Sequence, residues 1–176
     1  FAAELVRSRT LRRRYAPERF SVSGVLQSMN SILHERQLEE YYCTLCYALF
    51  DFTRHELTIS NSGLPYPIQC TENGCSQIEL PGVPLGSFPG ITYDEITLPL
   101  RDGDVFVFCT DGIFETLNEQ RAEFGTQRAC DVIRAHRNDS ARDIVTAIFE
   151  ATSAFRGPSS QDDDMTAVVV KITPSR

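Results

Sequence analysis

The chain reads as an α+β domain built on antiparallel strands, and three observations point to that class. Apolar residues recur at helical spacing near the start and again from Gln127, six short strand-like runs punctuated by turn residues lie between, and the chain closes on a β-branched run, Met165 to Ile172. At 176 residues and 41% hydrophobic content, residues 1–176 have the size of one globular domain with one core. The balance of 24 acidic against 17 basic residues, a net charge of −7, makes a nucleic-acid or anionic membrane surface a poor fit. No apolar run is long enough to span a bilayer. The basic residues of the first fourteen follow the apolar ones, the reverse of a secretory signal.

Taken in order, residues 1–14 place Phe1, Ala2, Leu5, Val6 and Leu11 on one helical stripe, with arginines at the far end, where a helix C-terminus favours positive charge. That helix has no visible N-cap, as if the chain began mid-element. A second helix is expected from Val22, Val25, Leu26, Met29, Ile32 and Leu33, behind serine cap candidates, and its stripe reads as core packing. From Tyr41 the runs YYCTLCYALFD, HELTIS, LPYPIQC, CSQIEL, ITYDEITL and DVFVFC suggest an antiparallel meander, with turns at clusters such as Asn73-Gly74 and Asp102-Gly103. Two more helices follow, one around Gln127 to His136 and one opened by Ser140, whose Asp143 three residues on completes a capping box. A loop, GPSSQDDD, leads into MTAVVVKI, a buried final strand by its β-branched content.

Cys43, Cys46 and Cys109 lie inside apolar strand-like runs, where cysteine behaves as a small hydrophobe. All six cysteines are expected to be reduced, which favours the cytoplasm. Cys43-x-x-Cys46 has no second such pair and is not read as a zinc site. His34, His55 and His136 read as surface residues without partners.

The chemistry is concentrated in carboxylates. Asp111 ends one apolar strand, and Asp162, Asp163 and Asp164 immediately precede another. If those strands are neighbours, the carboxylates converge at one end of the sheet, where their mutual repulsion either raises their pKa values or is relieved by a hard cation. Gly112, with no Cβ, would let the backbone approach such an ion.

Four motifs occur in a fixed order: Asn61-Ser62-Gly63-Leu64-Pro65; Gly82-Val83-Pro84-Leu85-Gly86; Gly103-Asp104 followed by Thr110-Asp111-Gly112; and Asp163-Asp164-Met165-Thr166. Together they resemble the metal-dependent protein phosphatases (type 2C, PPM), in the bacterial branch that includes stage II sporulation protein E and RsbU, over nearly the whole chain. The resemblance implies an antiparallel β-sandwich flanked by helices, in four layers α-β-β-α. It implies two Mn²⁺ or Mg²⁺ ions, with Asp111 and Asp163 as ligands and Gly112 and Asp164 as further candidates. The implied activity is hydrolysis of phosphoserine or phosphothreonine with the ions activating water, so that no protein nucleophile is required. The lack of a Cys-x5-Arg sequence agrees with that.

The implied partner is a phosphorylated protein of the anti-sigma-factor-antagonist (STAS) type in bacterial signalling. Leu64 stands where the family's turn commonly has histidine. The family's first two strands, carrying Gly-Asp-x-x-x-Asp and Asp-x-Ser-Gly-His-Gly, are not among these 176 residues. The domain is therefore expected to be N-terminally incomplete and inactive by itself, in a protein of the kind that often carries a sensor domain upstream. The alternative is a non-catalytic pseudophosphatase or partner-binding module.

Overall fold

The computed structural model describes residues 21–35 and 42–174; the helix expected over residues 1–14 lies outside them. The described elements run α1 (Val22–Glu35), β1 (Leu45–Asp51), β2 (Glu56–Ser62), β3 (Ile68–Thr71), β4 (Gly74–Gln77), β5 (Ile96–Pro99), β6 (Val105–Cys109), α2 (Asp111–Phe114), α3 (Gly125–Ala135), α4 (Ala141–Arg156) and β7 (Ala167–Lys171). Contacts divide the described residues into two compact units, one running up to Leu64 and including Leu80–Pro99, the other formed by Pro65–Glu79 and the residues from Leu100 onward.

In the first unit, α1 starts where Ser21 accepts the Gly24 N–H at 2.9 Å, the N-cap bond that the preceding serines promised. Glu95 adds a second cap by accepting the Ser23 N–H at 3.0 Å. Burial raises the Glu95 carboxyl's pKa, but the bonds from Ser23 and Ser21 outweigh it and hold the group below its ordinary value. The helix packs on β1 and β2 and shares a core of Leu26, Leu85 and Tyr93 with Met29, Leu33 and Leu45 around it. The sheet order is β1-β2-β5, all antiparallel, with Leu45 opposite Ser62 and Ile59 opposite Ile96.

The Asn-Ser-Gly-Leu-Pro turn is held by Asn61. Its amide donates to Leu64 O at 2.8 Å and Leu80 O at 3.1 Å and accepts the Leu64 N–H at 3.2 Å. Gly63, at φ +88°, takes a conformation that suits glycine. A Cβ on Gly82 would collide with the Asn61 carbonyl, so the Gly-Val-Pro-Leu-Gly loop passes directly over this turn. Buried Asn30 of α1 fastens the loop's far end, accepting the Gly86 N–H at 2.8 Å and donating to Phe88 O at 2.9 Å. Two of the four motifs are thus a mutually supporting turn and loop in which the Leu64 side chain has no hydrogen-bonding duty.

In the second unit the sheet order is β4-β3-β6-β7, again antiparallel throughout. Val105, Phe106 and Val107 of β6 are at most 1% exposed, so the strand is buried on both faces, each such side chain contributing about 1.5–3 kcal/mol. Helix α3 packs on β3 and β4, and α4 on β7, around a core that includes Ile68, Val107, Ile113, Ile133, Ile144 and Ile148. Helix α4 opens on half of the expected capping box: Ser140 accepts the Asp143 N–H at 3.2 Å, while the Asp143 carboxylate accepts the Ser140 hydroxyl at 2.6 Å instead of the Ser140 N–H. Lys171 donates to the carbonyls of Arg137 and Asp139, satisfying backbone groups just after α3.

The strands depart from the expected meander. β1–β2 and β3–β4 are hairpins, but β5 returns to β2 and β6 to β3, so successive strands serve different sheets. Of the run ITYDEITL only Ile96, Thr97 and Leu98 enter a strand, β5. His136 has a partner, Asp139 at 2.8 Å, and His34 Nε2 is buried with none among the described residues.

The expectation of six reduced cysteines is overturned for one pair: Cys70 and Cys75 form a disulfide. The β3–β4 turn is Glu72-Asn73, with Thr71 opposite Gly74, and this register sets Cys70 directly across from Cys75 at a Cα separation of 4.0 Å. Cys43, Cys46, Cys109 and Cys130 are free. Burial pushes the Cys46 thiol up to about 11 and the Cys109 thiol up to about 12, which makes both poor nucleophiles at neutral pH. Unfolded without reductant, the protein is expected to take up alkylating reagent at four cysteines, and at all six after reduction. Intact-mass spectrometry counts the additions, and six in both cases would remove the disulfide.

Candidate metal centre

The last two strands build the site. β6 and β7 pair from Val105↔Lys171 to Cys109↔Ala167, so the end of β6 lies beside the start of β7. The pairing continues past the strands, with the Thr110 N–H donating to Thr166 O at 3.1 Å. Two apolar runs that bury well as neighbours therefore carry the segments flanking them, 110–112 and 163–166, to one end of the sheet.

Asp111 does not sit in a simple turn after the strand. It opens the short helix α2, where the Glu115 N–H bonds to Asp111 O at 2.8 Å, with Thr110 extended before it. Gly112 is packed against the other segment: a Cβ built on it would overlap the Asp164 carbonyl. The glycine was expected to let the backbone approach a cation; the close neighbour that it admits here is instead the Asp164 backbone. The Gly112 carbonyl accepts the Thr116 hydroxyl at 2.6 Å, which leaves one lone pair for another partner.

Each carboxylate expected to act as a ligand is steadied by its own backbone. Asp111 Oδ1 accepts the Gly112 N–H at 3.0 Å, and Asp163 Oδ1 accepts the Asp164 N–H at 2.7 Å. Gln161 donates to Asp163 O at 2.7 Å, and the Arg156 guanidinium reaches Gln161 at 3.5 Å, which ties the loop to the end of α4. Asp111, Asp162, Asp163 and Asp164 are all exposed, so water screens their mutual repulsion. The donors are oxygens, the choice of hard cations such as Mg²⁺ and Mn²⁺. Among the described residues, however, no group of three or more His, Cys, Asp or Glu is placed to hold one ion. The donor chemistry fits such a cation; the number of ligands is short.

Reading the sequence for carboxylates overlooked the residues that join the two segments. Thr110 donates its hydroxyl to Asp164 O at 3.2 Å and accepts the Thr166 N–H at 2.9 Å. Both threonines stand inside the Thr-Asp-Gly and Asp-Asp-Met-Thr motifs, and their recurrence beside the aspartates was the available signal.

Solved structures of PP2C phosphatase domains share this architecture. The SiaA-PP2C domain of Pseudomonas aeruginosa matches with a TM-score of 0.74 at 18% identity, over 85% of this chain and 60% of that one. The PP2C domain of SpoIIE from Bacillus subtilis, solved with a fragment of its regulatory domain, gives 0.75 at 21% identity over 88% and 45%. The chain thus has the PP2C phosphatase fold. Among curated proteins, phosphoserine phosphatase RsbU of Bacillus subtilis (strain 168) is 24% identical over 154 residues, which is 85% of this chain but 44% of RsbU. The chain belongs to the stage II sporulation protein E (SpoIIE) family, whose model matches residues 2–173.

Proposed function

We propose that this chain is part of one metal-dependent serine/threonine phosphatase domain that removes phosphate from phosphoserine or phosphothreonine on a partner protein. The observation that carries this reading is the docking of Thr110-Asp111-Gly112 on the Asp163–Thr166 segment, in a chain of the SpoIIE family. Asp111 and Asp163 would hold Mn²⁺ or Mg²⁺, with the Gly112 carbonyl and Asp164 as further donors and the remaining ligands supplied from outside the described residues. Two bound ions would supply Lewis acidity and charge neutralisation at the phosphoryl group. The chain's own part is to hold one oxygen of each carboxylate on a neighbouring N–H, and to present both from an exposed sheet end that a phosphorylated loop can reach.

An anti-sigma-factor antagonist of the STAS type is the proposed substrate, by analogy with the family. RsbU is a phosphoserine phosphatase, which supports serine. No helix among the described residues is long and apolar enough to cross a membrane. The Cys70–Cys75 bond removes the thiol argument for a cytoplasmic setting, which rests instead on the proposed signalling role. A sensor domain upstream would complete such a protein.

The shortage of ligands favours a second reading, a pseudophosphatase that docks a partner without hydrolysis. A side-by-side assay of the 176-residue chain and the full-length protein separates the two. The short chain is expected to bind Mn²⁺ weakly and to release phosphate from a phosphoserine protein scarcely above background. The full-length protein is expected to turn over, and to stop when the metal is chelated. Equal rates would refute the proposed outside ligands, and an inert full-length protein would establish the pseudophosphatase.

A further inference from the structure

Thr110 sits half-buried between the last residue of β6 and the first of α2, and its side chain does not cap that helix. Its hydroxyl instead faces across to the other strand, donating to Asp164 O at 3.2 Å while accepting the Thr166 N–H at 2.9 Å. One oxygen thereby satisfies a carbonyl and an amide two residues apart on the segment that carries Asp163 and Asp164. The donor and acceptor capacities of a hydroxyl are both needed for this, and neither a valine nor an alanine supplies either.

The flanking contacts show what the hydroxyl controls. Backbone pairing between Thr110 and Thr166 fixes the strands but reaches no further toward the aspartates. Gly112 is so close to the Asp164 carbonyl that the two segments touch without room for a Cβ. Such contact resists approach but not separation or sliding. The Thr110 hydroxyl is the directional link that holds the Asp164 carbonyl at that distance, and with it the peptide whose N–H orients the Asp163 carboxylate. We infer that Thr110 is a positioning residue for the metal centre: its hydroxyl sets the spacing and orientation of the Asp163 segment relative to Asp111.

The inference rests on the metal site proposed above, and it is tested on the full-length protein by direct Mn²⁺ titration, with free Mn²⁺ read by electron paramagnetic resonance. Thr110→Val keeps the side-chain shape and removes both hydrogen bonds. It is expected to weaken Mn²⁺ binding on the order of tenfold, the scale seen when outer-shell partners of metal ligands are lost. The melting temperature of the metal-free protein should fall by only a few degrees, because the two lost hydrogen bonds are partly exposed to water. Thr110→Ser, which retains the hydroxyl, is expected to restore binding to within about twofold, as a positioning role requires. If the valine variant does not fold, Thr110→Cys takes its place, since a thiol is a weak donor and acceptor of similar size, and weakened binding is again expected. A valine or cysteine variant that binds Mn²⁺ as tightly as wild type overturns the positioning role and leaves the metal site standing. Failure of the wild type to bind Mn²⁺ overturns the metal site and this inference with it.

Discussion

Replacing Asp111 or Asp163 by asparagine in the full-length protein is expected to abolish Mn²⁺-dependent phosphate release while the fold survives. Asparagine keeps the Oδ1 acceptor that holds the Gly112 N–H in one case and the Asp164 N–H in the other, so the local backbone has no reason to move. What is lost is negative charge where a cation must be held. A metal ion contributes several kcal/mol of transition-state charge stabilisation, so each substitution should lower kcat/KM by on the order of 10²–10³-fold or more. Both residues would serve one centre, and the double variant should lose little beyond either single one. Phosphate-release kinetics with circular dichroism of each variant make the measurement. Full activity in either single variant would end the assignment.

Gly112→Ala is the second large effect, and it differs in kind because no charge changes. The added Cβ meets the Asp164 carbonyl, a backbone atom of a paired segment that cannot rotate aside as a side-chain end could. Either the 163–166 segment lifts away or α2 shifts, and in both cases the Thr110 hydrogen bonds stretch. Overpacking of this sort costs about 1–3 kcal/mol. Urea unfolding of the metal-free protein should show the loss, and phosphate release should fall at least as far as in the asparagine variants. A fully stable and active Gly112→Ala protein would mean that the two segments are not in contact.

Short-range signals in the sequence translate directly into this structure. Ser140 caps α4 through the Asp143 N–H as their spacing announces, Ser21 caps α1, and the stripe of Val22, Val25 and Leu26 is buried. Each depends on residues within one or two turns of a helix. Strand pairing was not legible to the same degree. That β5 returns to β2 follows from sheet order, which local spacing does not constrain, and Cys70 faces Cys75 because the hairpin turns on Glu72-Asn73 and not on the expected Asn73-Gly74, a one-residue shift of the turn that resets the register. At the candidate metal centre, the carboxylates stood out because aspartates at the ends of apolar strands invite a search for what pairs with them. The Thr110 hydroxyl did not, because a threonine ending a strand is ordinary until the strand beside it is known.

The docking of β7 on β6 ties together residues 56 apart in sequence, with α2, α3 and α4 in the loop between them. Closing a flexible loop of that length costs roughly 3–4 kcal/mol of chain entropy. If Asp111 and Asp163 hold a cation, as proposed, that ion would tie the neck of the loop as a reversible cross-link. By mass action, such an ion at a hundred times its dissociation constant would add about 2.7 kcal/mol to the folded state. Cellular manganese or magnesium would then set how often the C-terminal strand detaches, and with it the lifetime of the protein against proteases, independently of whether any phosphoprotein is present.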